Sequence, residues 1–291
     1  MKTDALAENQ DIAQRLREMA DLLQAQGANP FRAGAYRKGA DTLAELDGGV
    51  REIFDAGGPA GLEALPHIGP SIGSAIAQML ITGQWTQLER LRGTIDAASL
   101  FTSIPGVGPE LAEAIHEALG VDTLEALEIA CHDGRLADVP GVGPRRAAAI
   151  RNSVTAMLNK PRRRAHDATG TPEEPAVGLL LRVDADYRGR AEAGKLELIA
   201  PRRFNPGGEK WLPILHETYE GWHFTALYSN TANAHKLGRV FDWVVIYFHH
   251  DSQPEHQRTV VTETKGPLRG ERVVRGRERE CDDFYALRSQ G

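Results

Sequence analysis

The chain has 291 residues, 41% of them hydrophobic and 25% charged. That is globular composition, and it excludes a disordered or fibrous protein. No apolar run has the length of a membrane span, the acids of MKTDALAENQDIAQRL leave no signal-peptide core, and two cysteines are too few for a disulfide framework, so a cytoplasmic protein is expected.

The net charge of −6 is unevenly carried. Residues 1–160 hold 14 Lys and Arg against 21 Asp and Glu, and residues 161–291 hold 20 against 19. Five of the 18 aromatic residues lie in the first stretch and 13 in the second. The pattern predicts an α+β chain: an all-α domain over 1–160, a linker over 161–175, and a β-rich, mainly antiparallel domain over 176–291.

In chain order, Ile12, Leu16, Met19, Ala20 and Leu23 mark a first helical face, with Gly27 as its stop. Asn29-Pro30 is a turn, and Phe31, Ala35, Leu43 and Leu46 are expected on a second face. Short helices follow near 84–92, 109–119, 122–132 and 144–158. The Pro- and Arg-rich stretch Lys160–Pro175 has linker composition. Beyond it, Leu179–Val183, Lys195–Ala200, Trp211–His216, Trp222–Tyr228, Phe241–Phe248, Thr259–Thr264 and Arg272–Val274 read as strands. Glu220-Gly221 turns one hairpin, residues 249–257 a longer one, and Ala232–Leu237 a short helix.

Three segments are near copies: LPHIGPSIGSAI (65–76), IPGVGPELAEAI (104–115) and VPGVGPRRAAAI (139–150). Such self-similarity means one supersecondary unit used three times. Pro66, Pro105 and Pro140 help close a preceding helix. Gly69, Gly106, Gly108, Gly141 and Gly143 permit tight turns and close approach to the backbone. Pro70, Pro109 and Pro144 suit a first helical position. Gly73, Ala112 and Ala147 allow close packing, and Ile76, Ile115 and Ile150 enter the core. The product is a glycine hairpin with amides and a positive helix end facing outward, an anion site that needs no basic side chain.

These repeats resemble helix-hairpin-helix motifs, which bind the DNA backbone without sequence preference. The second and third, with a connecting helix at 122–132, resemble the paired domain that grips both strands across a minor groove. With NPFRAGAYRKGA (29–40) and TGQW (82–85), residues 8–158 resemble the amino-terminal region of family X DNA polymerases, closest in style to the bacterial ones. The resemblance implies DNA binding, to duplex or gapped DNA, in repair or processing. Its contacts would be Gly69, Gly106, Val107, Gly108, Gly141, Val142, Gly143, Arg145 and Arg146 at the hairpins, and Tyr36, Arg37 and Lys38 upstream. No cofactor is required for such binding, although the resemblance allows a monovalent cation at the hairpins.

The family's polymerase core is missing, since Asp184-Ala185-Asp186 lacks the Gly-Ser context and reads as a strand end. Some members use a Schiff-base lysine one residue before the repeat's final Ile, and Ala75 stands there. Lys38 is the lyase alternative. A metal-dependent nuclease is another: a hairpin centred near residue 253 would set Asp242 beside Glu263 and Lys265, able to hold Mg²⁺. A protein-interaction scaffold is the third. Arg275, Arg277 and Arg279 would share a face if extended, enough to follow a phosphate backbone; Arg202 and Arg203 precede Phe204, and the linker holds Arg162, Arg163 and Arg164. The histidines of the second half match no metal-ligand spacing. Its aromatics, among them Trp211, Trp222, Phe224, Tyr228 and Trp243, are expected mainly in a sheet core.

Overall fold

The computed structural model describes residues 2–94, 97–162, 174–250 and 255–288. These fall into two compact units, one on each side of residues 163–173. No helix among the described residues is long and apolar enough to cross a membrane.

The first unit is all helical. Helices α1 (Lys2–Ala25) and α2 (Pro30–Ala44) pack along each other. The five expected α1 positions are all buried. Asn29 caps α2 by accepting the Phe31 amide at 3.0 Å, and Pro30 takes the first turn. The buried face of α2 differs from expectation. It is Ala33, Tyr36, Gly39, Ala40 and Leu43, while Phe31 and Ala35 are exposed. Gly39 fits a close approach there, since a Cβ would meet the side chains of Ile68 and Ile72 at 3.3 Å.

Helix α3 (Val50–Glu63) is kinked where Gly58 takes φ +61° before Pro59. Its start is anchored to α1 by buried Asn9, which accepts the Val50 amide at 2.9 Å and donates to the Gly48 carbonyl at 2.8 Å. The remaining helices are α4 (Pro70–Thr82), α5 (Thr86–Arg92), α6 (Ala97–Phe101), α7 (Pro109–Leu119), α8 (Leu124–His132) and α9 (Pro144–Arg162). A 3-10 turn spans Arg135–Asp138. One apolar core, including Phe101, Ile104, Ile115, Leu127, Val139 and Ile150, joins the second and third repeats. Arg163 and Arg164 lie outside the described residues.

The second unit is a six-stranded antiparallel meander in the order β1 (Glu197–Ile199), β2 (Leu212–Tyr219), β3 (Trp222–Tyr228), β4 (Val244–His250), β5 (His256–Thr262) and β6 (Arg272–Val274). Glu220 (φ +52°) and Gly221 (φ +82°) form the two-residue β2–β3 turn, the positive-φ pair that the sheet's twist demands. The expected strand at Leu179–Val183 is instead part of helix α10 (Val177–Glu192), which lies across the sheet. An apolar run of that length fits either a strand or a buried helix. The buried series Leu180, Val183, Asp184 and Tyr187 has helical spacing. Tyr187 fixes α10 by donating to the Pro213 carbonyl (3.0 Å) and accepting the Tyr228 amide (2.8 Å). The short helix α11 (Ala232–Lys236) lies between β3 and β4, where a helix is expected. Helix α12 (Glu278–Arg288) packs beside α10 and β6.

Candidate nucleic-acid interface

The three repeats fold into one turn, repeated atom for atom in its hydrogen bonding. The amides of Ile68, Val107 and Val142 donate to the carbonyls of Leu65, Ile104 and Val139 at 3.3, 3.0 and 3.0 Å. Pro66, Pro105 and Pro140 fill the second position. His67, Gly106 and Gly141 fill the third with φ of +60°, +85° and +83°. That is the signature of a type II turn. His67 is therefore a left-handed residue doing the work glycine does in the other two copies.

The next glycine has a different role. Gly69 and Gly108 are extended (φ −82° and −85°) and begin α4 and α7. Gly143 likewise has no positive φ, and no atom lies within 4 Å of a Cβ placed at Gly69, Gly108 or Gly143. Neither backbone conformation nor packing demands glycine there. What a side chain would obstruct is the space over the helix start. Prolines 70, 109 and 144 follow, and the amides of Gly73, Ala112 and Ala147 close the first helical bonds back to these glycines at 2.8, 2.9 and 2.9 Å.

The amides before that first bond have no intrahelical acceptor, and glycine offers no side-chain cap. Each hairpin thus presents amides and a positive helix end to solvent. Val107 and Val142 do not share in this: their side chains are buried and their amides close the turn. Their place is structural, under the loop.

The hairpins differ in charge. The position after the N1 proline is Ser71, Glu110 and Arg145, and Arg145 is exposed. Arg146 donates to the Gly141 carbonyl at 3.0 Å and braces the third loop. The third hairpin is the most cationic, while Glu110 puts a carboxylate beside the second. The alignment of Glu110 with Ser71 and Arg145 in the three repeats is the sequence signal for this difference.

Of the upstream residues, Tyr36 is buried in the core, where its ring lies 5.6 Å from Trp85 and its hydroxyl 3.4 Å from Gln87 Oε1. The expectation that it faces a ligand is corrected: α2 turns it inward with Ala33 and Ala40. Arg37 pairs with Asp21 (2.9 Å) and Gln24 (2.7 Å), and Lys38 is exposed. Ala75 is buried in α4.

The Asp242, Glu263 and Lys265 trio is not assembled. The β4–β5 register pairs Val244 with Val260, which sets Thr262 at Asp242. Thr262 donates to Asp242 at 2.5 Å, and Arg272 bonds the same carboxylate oxygen at 2.8 Å. Glu263 lies past the end of β5 and binds Arg275 at 2.7 Å. That bond, with the amides of Lys265 and Thr264, holds the Glu263 carboxyl below its usual range. Asp184 is also reassigned, from a strand end to a buried helical site that receives two of the three Arg272 guanidinium nitrogens at 2.6 and 3.0 Å.

Arg275, Arg277 and Arg279 form no extended stripe. Gly276 turns the chain at φ +82°, Arg277 binds Glu280, and α12 starts at Glu278. No group of three or more His, Cys, Asp or Glu able to hold a metal occurs among the described residues.

Residues 7–85 match the family model of a helix-hairpin-helix domain, and residues 98–154 that of a SAM-like helix-hairpin-helix tandem. A stretch of 127 residues is 28% identical to the DNA polymerase/3′-5′ exonuclease PolX of Bacillus subtilis (strain 168). It is 43% of this chain and 21% of that protein, so the match spans about a fifth of the relative. The front of this chain carries helix-hairpin-helix domains and resembles the amino-terminal region of family X DNA polymerases.

Proposed function

We propose that the first unit binds DNA through its backbone phosphates, without sequence preference, in a DNA repair or processing role. The observation that carries this reading is the glycine at each helix start, Gly69, Gly108 and Gly143, which the fold itself does not need. It keeps the space over the unpaired amides open to a phosphate. Val107 and Val142 set the loop from below, and Arg145 adds charge at the third hairpin. The similarity to PolX supports the nucleic-acid assignment.

Amide contacts also explain how a unit with more acids than bases holds a polyanion. A monovalent cation would be held at the hairpins by main-chain carbonyls. Those of Ile104 and Val139 each accept one turn amide and keep a second lone pair, a donor set for a weakly held ion that offsets phosphate charge. Mg²⁺ has no such fit at Asp242, which already receives Arg272 and Thr262.

Fluorescence anisotropy with labelled duplexes of unrelated sequence, intact and gapped, tests the reading. Affinity should be equal among sequences within about twofold and should fall as salt rises. A variant altered at Gly106, Gly108, Gly141 and Gly143 should lose it. Undiminished affinity in that variant sinks the hairpin mechanism.

A further inference from the structure

In an antiparallel meander alternate connections emerge at the same end. The β1–β2 and β3–β4 connections, residues 200–211 and 229–243, therefore share one end of the second unit's sheet. Three of the seven large hydrophobic side chains left exposed among the described residues, Phe204 (47%), Leu237 (55%) and Phe241 (68%), lie in these two connections.

The rings form a continuous series. Phe204 lies 4.4 Å from His235, His235 6.5 Å from Trp211, and Trp211 6.2 Å from Phe241. Phe241 then lies 5.4 Å from Tyr228, which is rooted in the sheet core.

The series is held rigidly. Phe204 keeps a left-handed backbone, φ +53°, a conformation rare for a bulky residue. Asn230 donates to the Arg203 carbonyl at 2.9 Å, and its amide oxygen meets His235 Nε2 at 2.7 Å. Asn205 spans its own loop, bonding the carbonyl and amide of Glu209 at 2.8 and 3.1 Å.

The two connections carry five fixed cations, Arg202, Arg203, Lys210, Lys236 and Arg239, against Glu209 and Asp242. Asp242 is bonded to Arg272 and lies 3.9 Å from Arg239. Arg203 lies 5.3 Å from the Phe204 ring. Exposed rings on connections rich in cations suit unpaired bases and their phosphates: bases stack on the rings and the cations track the backbone. An apolar protein partner would offer these cations no anion.

We infer that this end of the sheet binds an unpaired stretch of DNA. The aromatic and charge pattern defines a single strand, and the choice of DNA rests on the function proposed for the hairpins.

The test uses the full chain and a fluorescein-labelled oligo(dT) of about 20 nucleotides, read by anisotropy, beside a blunt duplex of equal length. Phe204→Ala with Phe241→Ala should weaken oligo(dT) binding by about fivefold or more and leave duplex binding unchanged. Phe204→Tyr with Phe241→Trp should retain it. Gly108→Ser with Gly143→Ser should do the reverse, losing duplex and keeping oligo(dT), so failure of the hairpins is distinguishable from failure of the platform.

Circular dichroism checks that each variant is folded. Wild-type affinity for oligo(dT) in the alanine variant overturns the inference, as does equal loss in the aromatic variant. So does self-association that the alanine changes abolish in a chain that binds no oligo(dT), since that assigns the rings to a second copy.

Discussion

The paired substitution Gly108→Ser and Gly143→Ser separates stability from binding. Gly108 has the extended conformation of an N-cap (φ −85°, ψ 173°), Gly143 likewise has no positive φ, and neither has an atom within 4 Å of an added Cβ. Serine therefore enters without clash or strain. At an N-cap its hydroxyl accepts a first-turn amide, which is worth a few tenths of a kcal/mol over glycine. Replacing glycine also narrows the unfolded ensemble, worth about 0.4–1 kcal/mol per site. Two distant sites should add, giving roughly 1–2 kcal/mol of stabilisation. The same hydroxyl occupies the amide a phosphate would use, so duplex affinity should fall by roughly tenfold, about 1.4 kcal/mol. Urea titration of the helical circular dichroism signal reads the first effect and duplex anisotropy the second. A stabilised variant with unchanged affinity would falsify the amide mechanism; a destabilised one would show that glycine is a structural requirement.

Gly106→Ala and Gly141→Ala should behave oppositely, costing about 1 kcal/mol each in the same titration, because their left-handed φ penalises a Cβ; His67→Gly should stabilise for the same reason. Glu110→Gln should raise duplex affinity and Arg145→Ala lower it, the latter with a salt slope shallower by about one, measured from anisotropy over a range of ionic strength. Arg272→Ala should cost about 3 kcal/mol in the second unit, because the 1%-exposed Asp184 keeps only Arg188, 3.1 Å away, as a cationic partner, seen as an early unfolding transition by tryptophan fluorescence. Burial pushes the Cys131 thiol up to about 11 and raises that of Cys281, so both should stay protonated and unreactive toward a disulfide reagent at pH 8. Reactivity should appear only as the pH approaches the raised value or the chain unfolds.

The hairpins were legible in the sequence because their constraints are local. A proline, a left-handed residue and an N1 proline at fixed spacing determine the turn, and the repeat makes the spacing visible three times. Ile76, Ile115 and Ile150 follow, all 1% exposed or less. The face of α2 was misread because hydrophobicity alone ranks Phe31 above Gly39. Packing against α1 and Ile72 selects small residues and Tyr36 instead, and leaves Phe31 at the helix start with no neighbour to cover it.

Sheet register is where local signals stop. A strand's side chains alternate, so a displacement of one residue exchanges the partners of every position. Centring the β4–β5 hairpin near 253 brings Asp242 to Glu263; the observed pairing of Val244 with Val260 brings it to Thr262. That single step separates a carboxylate pair that could hold a metal from one carboxylate neutralised by Arg272. The same arginine binds Asp184 of α10, 88 residues earlier, a partner no window of sequence could suggest. Because Arg272 joins both acids, its guanidinium fixes α10 to the sheet and occupies one oxygen of Asp242. Asp184, Asp242 and Glu263 are each paired with an arginine of the second unit. Its exposed chemistry is left to the rings and cations of the loops at the end of the sheet.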